Sequence, residues 1–139
     1  MRYKIKFYSE AYLEKLKELM AQEKEFTVPS IKYLRDVVLC VIDTKTNNMV
    51  AFVCAVTGLS NTAYVSHLIL DKKIRRTKNG YYVLKLIINN LEKALKWLGK
   101  DGYEGFVNIE NKVAKTLYDK RGGKCIGKGY LYRKEINND

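Results

Sequence analysis

Histidine is nearly missing from this chain: His67 stands alone in 139 residues, beside three cysteines, one proline and one tryptophan. A lone histidine and cysteines at 40, 54 and 125 offer no paired spacing of the kind a zinc site uses, so no metal is expected. The cysteines lie among apolar, strand-like neighbours and read as small buried hydrophobes. Long apolar runs are also missing. The longest, residues 49–56, is far short of the roughly 20 residues that a membrane-spanning helix needs, and it reads as a buried strand. Residues 1–7 alternate basic and apolar side chains and carry neither the apolar stretch nor the small-residue cleavage site of a secretory signal, which points to a cytoplasmic protein. With 47% hydrophobic residues and only nine glycines, collagen-like and disordered classes are excluded. The length suits a single domain over residues 1–139.

Acidic residues are scarce as well, 15 against 26 basic, for a formal net charge of +11. The excess is lysine, 20 against 6 arginines, in a chain also rich in Ile and Asn, a composition that an AT-rich coding bias yields without selection for binding. The distribution is more informative than the total. Residues 1–70 carry nine basic and seven acidic groups, whereas residues 71–134 carry seventeen and six. An anionic partner is therefore expected to meet the second half.

Hydrophobic spacing supplies the elements. Residues 2–7 alternate with Tyr3, Ile5 and Phe7 on one face, as in a strand. Ser9 is placed to cap a helix carrying Tyr12, Leu13, Leu16, Leu19 and Met20, which ends before Pro29. Residues 37–43 and 49–57 form apolar strands joined by a turn over 44–48, and a second turn, 58–62, leads into a strand over 63–70. Val83, Leu84, Ile87, Ile88, Leu91, Ala94, Leu95 and Leu98 recur at helical spacing, with Gly99 and Gly102 as stops. A short strand is predicted over 106–109, then a helix capped by Asn111 and closed by Gly122-Gly123, then two strands over 125–136. A short helix over 30–34 is an option. The class is α/β with a mixed central sheet of six to seven strands and three to four helices, in the order β-α-β-β-β-α-β-α-β-β.

Residues 68–81 combine a buried strand, a basic loop and a helix start. A helix N-terminus leaves about four N–H groups unpaired at the positive end of its dipole, so a loop wrapped around it is suited to an anion. Arg75, Arg76 and Lys78 bring full charges to it. The spacing fits neither GxxxxGK[ST] nor GxGxxG.

Together with residues 82–123, this segment resembles the GNAT N-acetyltransferase superfamily. There, a strand ending in a small apolar triplet leads into a loop Arg/Gln-x-x-Gly-x-Gly/Ala, a long helix, a short strand and then Asn-x-x-Ala-x-x-Leu-Tyr-x-x-x-Gly-Phe. Here stand Leu68-Ile69-Leu70, Arg75 to Gly80, and Asn111, Ala114, Leu117, Tyr118 and Gly122 at family spacing, with the likeness covering roughly residues 35–130. Lys78 replaces the first loop glycine and Gly123 the phenylalanine. The resemblance implies acetyl-CoA as acyl donor, direct transfer to an amine (a small molecule, or a protein lysine or N-terminus), no metal and no covalent enzyme intermediate. It further implies that the backbone of Leu68, Ile69 and Leu70 pairs with the pantetheine arm. The amides of Arg76, Thr77, Lys78, Asn79, Gly80 and Tyr81 would hold the pyrophosphate, Asn111 would touch the cofactor arm, and Tyr118 would protonate the departing thiolate. Acceptor choice falls to Tyr8, residues 23–35 and the 58–62 turn.

The general base stays open. The family positions hold Tyr64, Ser66 and Phe106, none a good base. His67 is the nearest candidate, although strict strand alternation turns it to the face opposite Ser66 unless a bulge re-aims it. A water relay, Glu104 and Glu110 are alternatives. Two other classes fit the same residues. One is a nucleic-acid-binding member of the fold, using the basic half and the eleven tyrosines for phosphate contacts and base stacking. The other is a binding module without catalysis. No membrane partner is expected, and the chain acts as a monomer or homodimer.

Overall fold

The computed structural model describes residues 1–22, 37–58, 60–105 and 112–123. The chain divides into two compact units, Met1–Phe106 and Val107–Asp139. The first holds β1 (Tyr3–Phe7), a 3-10 turn (Glu10–Tyr12), α1 (Leu13–Met20), β2 (Val37–Asp43), β3 (Asn48–Val56), β4 (Thr62–Leu70), α2 (Lys78–Trp97) and β5 (Gly102–Gly105). The strands lie side by side in chain order. The first four pair antiparallel and β4 pairs with β5 in parallel, so α2 serves as the crossover that a parallel pair requires. The sheet is thus mixed, as expected. The further strands expected over 125–136 and the short helix over 30–34 lie outside the described residues.

Register explains why β2 and β3 lack a polar face. Val38, Cys40 and Ile42 of β2, with Met49, Phe52 and Cys54 of β3 and Ile69 of β4, pack against Leu16, Leu19 and Met20 of α1. The alternate residues Leu39, Val41, Ala51, Val53 and Ala55 are also buried. They face the side covered by α2, whose Val83, Ile87 and Leu91 are fully buried. A strand covered on both faces reads as a continuous apolar run. Each large side chain so buried contributes about 1.5–3 kcal/mol. Asp43 is the one buried charged residue among those described. Its carboxylate accepts two hydrogen bonds from the Arg2 guanidinium, at 3.2 and 3.1 Å, and one from the Lys45 amide at 3.0 Å.

Three expectations change. Phe7 shares the face of Tyr3 but is 70% exposed. It lies at the end of an edge strand, beside an open groove of about 290 Å³ where α2 presents Asn90, Lys93 and Ala94 rather than large apolar groups. Ser9 precedes a 3-10 turn instead of α1, and its side chain makes no capping bond. Gly102 does not stop a helix but opens β5, because Gly99, at φ 78, has already ended α2. The Gly99 amide donates to Lys96 O and that of Lys100 to Leu95 O, the paired closure of a left-handed glycine cap. The strand predicted over 106–109 lies outside the described residues, and β5 occupies Gly102–Gly105.

The described part of the second unit is α3 (Lys112–Lys120) and its exit. Gly122 takes φ 79, its amide donates to Asp119 O, and Gly123 donates to Tyr118 O at 2.7 Å. This is the same cap in a second helix. A Cβ on Gly123 would lie 2.8 Å from the Tyr118 carbonyl oxygen. A side chain at 123 would therefore require this cap to shift.

Candidate functional site

Behind β4 the chain is held by short-range bonds. The Asp71 amide donates to Val50 O, and the Asp71 carbonyl accepts from the amides of Ile74 and Arg75. The Asp71 carboxylate accepts from the Lys73 amide and the Gln22 side chain, while Gln22 Oε1 accepts from the Lys72 amide. The end of α1 is thereby tied to the loop. Arg76 then takes a left-handed conformation, φ 61, and Thr77 caps α2 by accepting the Gly80 amide on Oγ1 at 3.1 Å. Lys78, Asn79 and Gly80 are therefore the first turn of α2 rather than loop residues.

The first turn is also where the backbone packs most tightly. A Cβ on Gly80 would stand 1.9 Å from the Ile74 carbonyl oxygen and 2.8 Å from its carbon, closer than any atoms can approach. Lys78, in the position of the family's first glycine, needs no special conformation: among the described residues the non-glycine positions with positive φ are Asn47 and Arg76. Thr77, Gly80 and Tyr81 donate their amides within the loop and cap. Among the described residues, the amides of Arg76, Lys78 and Asn79 have no acceptor. Those of Lys78 and Asn79 project from the positive end of a helix of 20 residues, with the exposed side chains of Arg76 and Lys78 around them. Arg75 belongs to the scaffold instead, since its Nε donates to Leu70 O at 2.8 Å.

The outer edge of β4 divides the apolar triplet. Because the Asp71 amide points to β3, alternation turns the backbone groups of Ile69 to β3 and those of Leu68 and Leu70 to the opposite edge. Ile69 is thus part of the β3–β4 ladder, the Leu70 carbonyl is taken by Arg75, and Leu68 presents its N–H and C=O outward. The described part of β5 ends at Gly105, opposite Val65.

A bulge sits at the middle of β4. Cys54 pairs with His67 but Ala55 pairs with Val65, so Ser66 is the extra residue. Downstream of it the faces exchange, and His67 joins Tyr64 and Ile69 on the α1 side instead of following strict alternation. Its ring lies 6.3 Å from that of Phe52, and its Nδ1 is 2.8 Å from Ser66 Oγ. Ser66 Oγ also lies 3.3 Å from the Cys54 carbonyl. Glu104 pairs with Tyr64 across the parallel junction, which places this exposed carboxylate on the same face. Sequence reasoning discounts Ser66 as a base and misses it as a partner of His67. The one local signal for it is a pair of adjacent polar residues, Ser66-His67, inside an otherwise apolar strand.

Of the remaining candidates, Tyr118 is half-buried on α3 in the second unit. Asn111, Phe106 and Glu110 lie outside the described residues, as do Cys125 and residues 23–35. Tyr8 packs against the α1-side core, and burial raises its phenol above the ordinary value. Cys40 is fully buried, which pushes its thiol up to about 12, so it stays neutral and unreactive. No group of three or more metal-binding side chains exists among the described residues, nor is any described helix long and apolar enough to cross a membrane.

No family model and no curated protein matches the sequence. Solved structures do match in fold. The chain superposes on AAC(6')-Iy, in complex with the bisubstrate analogue CoA-S-monomethyl-acetylneamine, with a TM-score of 0.72 at 15% identity, covering 98% of this chain and 100% of that one. Glucosamine-6-phosphate N-acetyltransferase from Arabidopsis thaliana gives 0.69 at 17% identity, with 99% and 100% covered. An acetyltransferase of the GNAT family from Staphylococcus aureus Mu50 gives 0.73 at 18%, with 97% and 94% covered. At such identities the likeness establishes the fold: this chain has the architecture of the GNAT N-acetyltransferases over nearly its whole length.

Proposed function

We propose that the chain is an acetyl-CoA-dependent N-acyltransferase that passes an acetyl group directly to an amine. The observation that carries this reading is the turn from β4 into α2. Gly80 is pressed onto the Ile74 carbonyl, while among the described residues the amides of Arg76, Lys78 and Asn79 have no acceptor at the helix N-terminus. A pyrophosphate fits such a cradle through backbone donors and needs no glycine at 78. The outward N–H and C=O of Leu68 suit the amides of a pantetheine arm. The neighbours crystallised with CoA or a CoA-containing analogue support the same donor.

The thioester supplies an activated acyl group. His67, re-aimed by the bulge, takes the proton shed by the amine as its nitrogen bonds to the acyl carbon. Tyr118 protonates the thiolate released when the C–S bond breaks, and the proton held by His67 restores the phenol by way of solvent. The role of Tyr118, like that of Asn111, rests on the sequence motif. Glu104, on the face of His67, is the alternative base. The reading extends to a cytoplasmic protein, with the remaining strands of the fold in residues 125–136.

The test is calorimetric titration with acetyl-CoA, with coenzyme A and ATP as controls, at two salt concentrations. Acetyl-CoA is expected to bind well above ATP and to keep most of its affinity at the higher salt. Absence of binding at millimolar acetyl-CoA would overturn the reading.

A further inference from the structure

We propose that the free edge of β1, with the groove beside it, is a strand-addition site for an extended peptide segment in which apolar and acidic residues alternate. Register sets which backbone groups are free. The Thr44 amide donates to Arg2 O and the Tyr8 amide to Val38 O. Arg2, Lys4, Lys6 and Tyr8 therefore direct their backbone groups to β2, and alternation turns those of Tyr3, Ile5 and Phe7 to the opposite edge. β1 is the terminal strand of the described sheet. Among the described residues nothing pairs with these outward N–H and C=O groups. They form a row on which an extended chain can build a further ladder. This edge lies at the far end of the sheet from β4 and β5, so the inference stands whether or not acetyl-CoA binds.

The side chains define the chemistry of the partner. Ile5, Phe7 and Leu39 share the open groove with Asn90, Lys93 and Ala94 of α2, where an added strand would lay one row of its side chains. On the other face of β1, Lys4 and Lys6 are exposed, and among the described residues no acid lines the groove. Residues paired across an antiparallel ladder share a face. Those opposite Ile5 and Phe7 must then be apolar, and those beside Lys4 and Lys6 acidic. Lysines on an edge also guard against pairing, and two copies of β1 set edge to edge would oppose lysine to lysine. A guard against every strand would not leave Phe7 bare on the same edge. The pattern rejects a second copy and admits an acidic strand.

The experiment titrates the full, nitrogen-labelled chain with a blocked hexapeptide of alternating glutamate and valine, followed by amide NMR shifts and hydrogen exchange. Two control peptides accompany it. One has lysine in place of glutamate, and the other is N-methylated on its valines, whose backbone would meet Ile5 and Phe7. The glutamate peptide is expected to shift the amides of Tyr3, Ile5 and Phe7 and slow their exchange, and both controls to bind at least about tenfold more weakly. Phe7→Ser and Lys6→Glu, at exposed positions, should each weaken the glutamate peptide by a similar factor. The three peptides act on the wild type, so the test holds even if a variant fails to fold. The proposal is overturned if no edge amide responds at millimolar peptide, if the shifts fall on the basic loop before α2 instead, or if the N-methylated peptide binds equally well. Self-association through the same amides without peptide would also overturn it, by making the edge an interface between copies of the chain.

Discussion

At the scale of single residues, Gly80 bears the sharpest constraint. With the Ile74 carbonyl oxygen 1.9 Å from any Cβ, Gly80→Ala must push the first turn of α2 away from the loop. The expected cost is about 1–3 kcal/mol in urea unfolding, as for other overpacked sites. In the same variant acetyl-CoA affinity should fall by more than about tenfold, equivalent to 1.4 kcal/mol. A variant with unchanged affinity would place the anion elsewhere. The position of this glycine was legible in the sequence because the family spacing ends on it. The inward turn of Arg75 was not, since an arginine side chain spans several ångströms and its partner, the Leu70 carbonyl, is fixed only by the folded loop. Nor was the bulge at Ser66, which depends on register with β3 rather than on any local preference.

At the scale of elements, α2 shows why helices read well. Its apolar stripe and its Gly99 exit are local signals read from the sequence, and the structure uses both, whereas the Thr77 cap that starts the helix at Lys78 lies inside what the sequence reads as loop. Thr77→Ala removes the acceptor for the Gly80 amide and should cost about 1 kcal/mol, measured as a shift of the urea midpoint at constant slope. The strand β5 illustrates the opposite case. Gly102-Tyr-Glu-Gly has the composition of a turn, yet it forms a strand by pairing with Thr62–Val65 and by the bond of the Tyr103 hydroxyl to Glu92 on α2. Both partners are distant in sequence, so no local pattern marks 102–105 as a strand.

At the scale of the molecule, the ion pair between Arg2 and Asp43 joins the first strand to the end of the second. The hydrogen bonds from Arg2 hold the Asp43 carboxyl below its ordinary 3.8, against the opposing effect of burial. A folded value below the unfolded one means that the contribution is complete above the usual carboxylate range and is lost as pH falls through the folded value. Thermal melts of the wild type and Arg2→Gln should therefore differ most near neutrality and converge as pH falls below the ordinary carboxylate value. A gap that stays constant with pH would assign the stabilisation to something other than this charge.

The chain-ordered sheet also sets a timetable for folding. The strands β2, β3 and β4 join their neighbours through short turns, so their loop-closure cost is small and they can associate while synthesis is still under way. The parallel pairing of β5 with β4 must wait until α2 has emerged and folded back. Until then the same edge of β4 that offers its backbone to a ligand is an open template for another strand. Pairing with β5 then covers Thr62–Val65, so the edge is most extensively open to a wrong strand in the interval between emergence of residue 70 and residue 105.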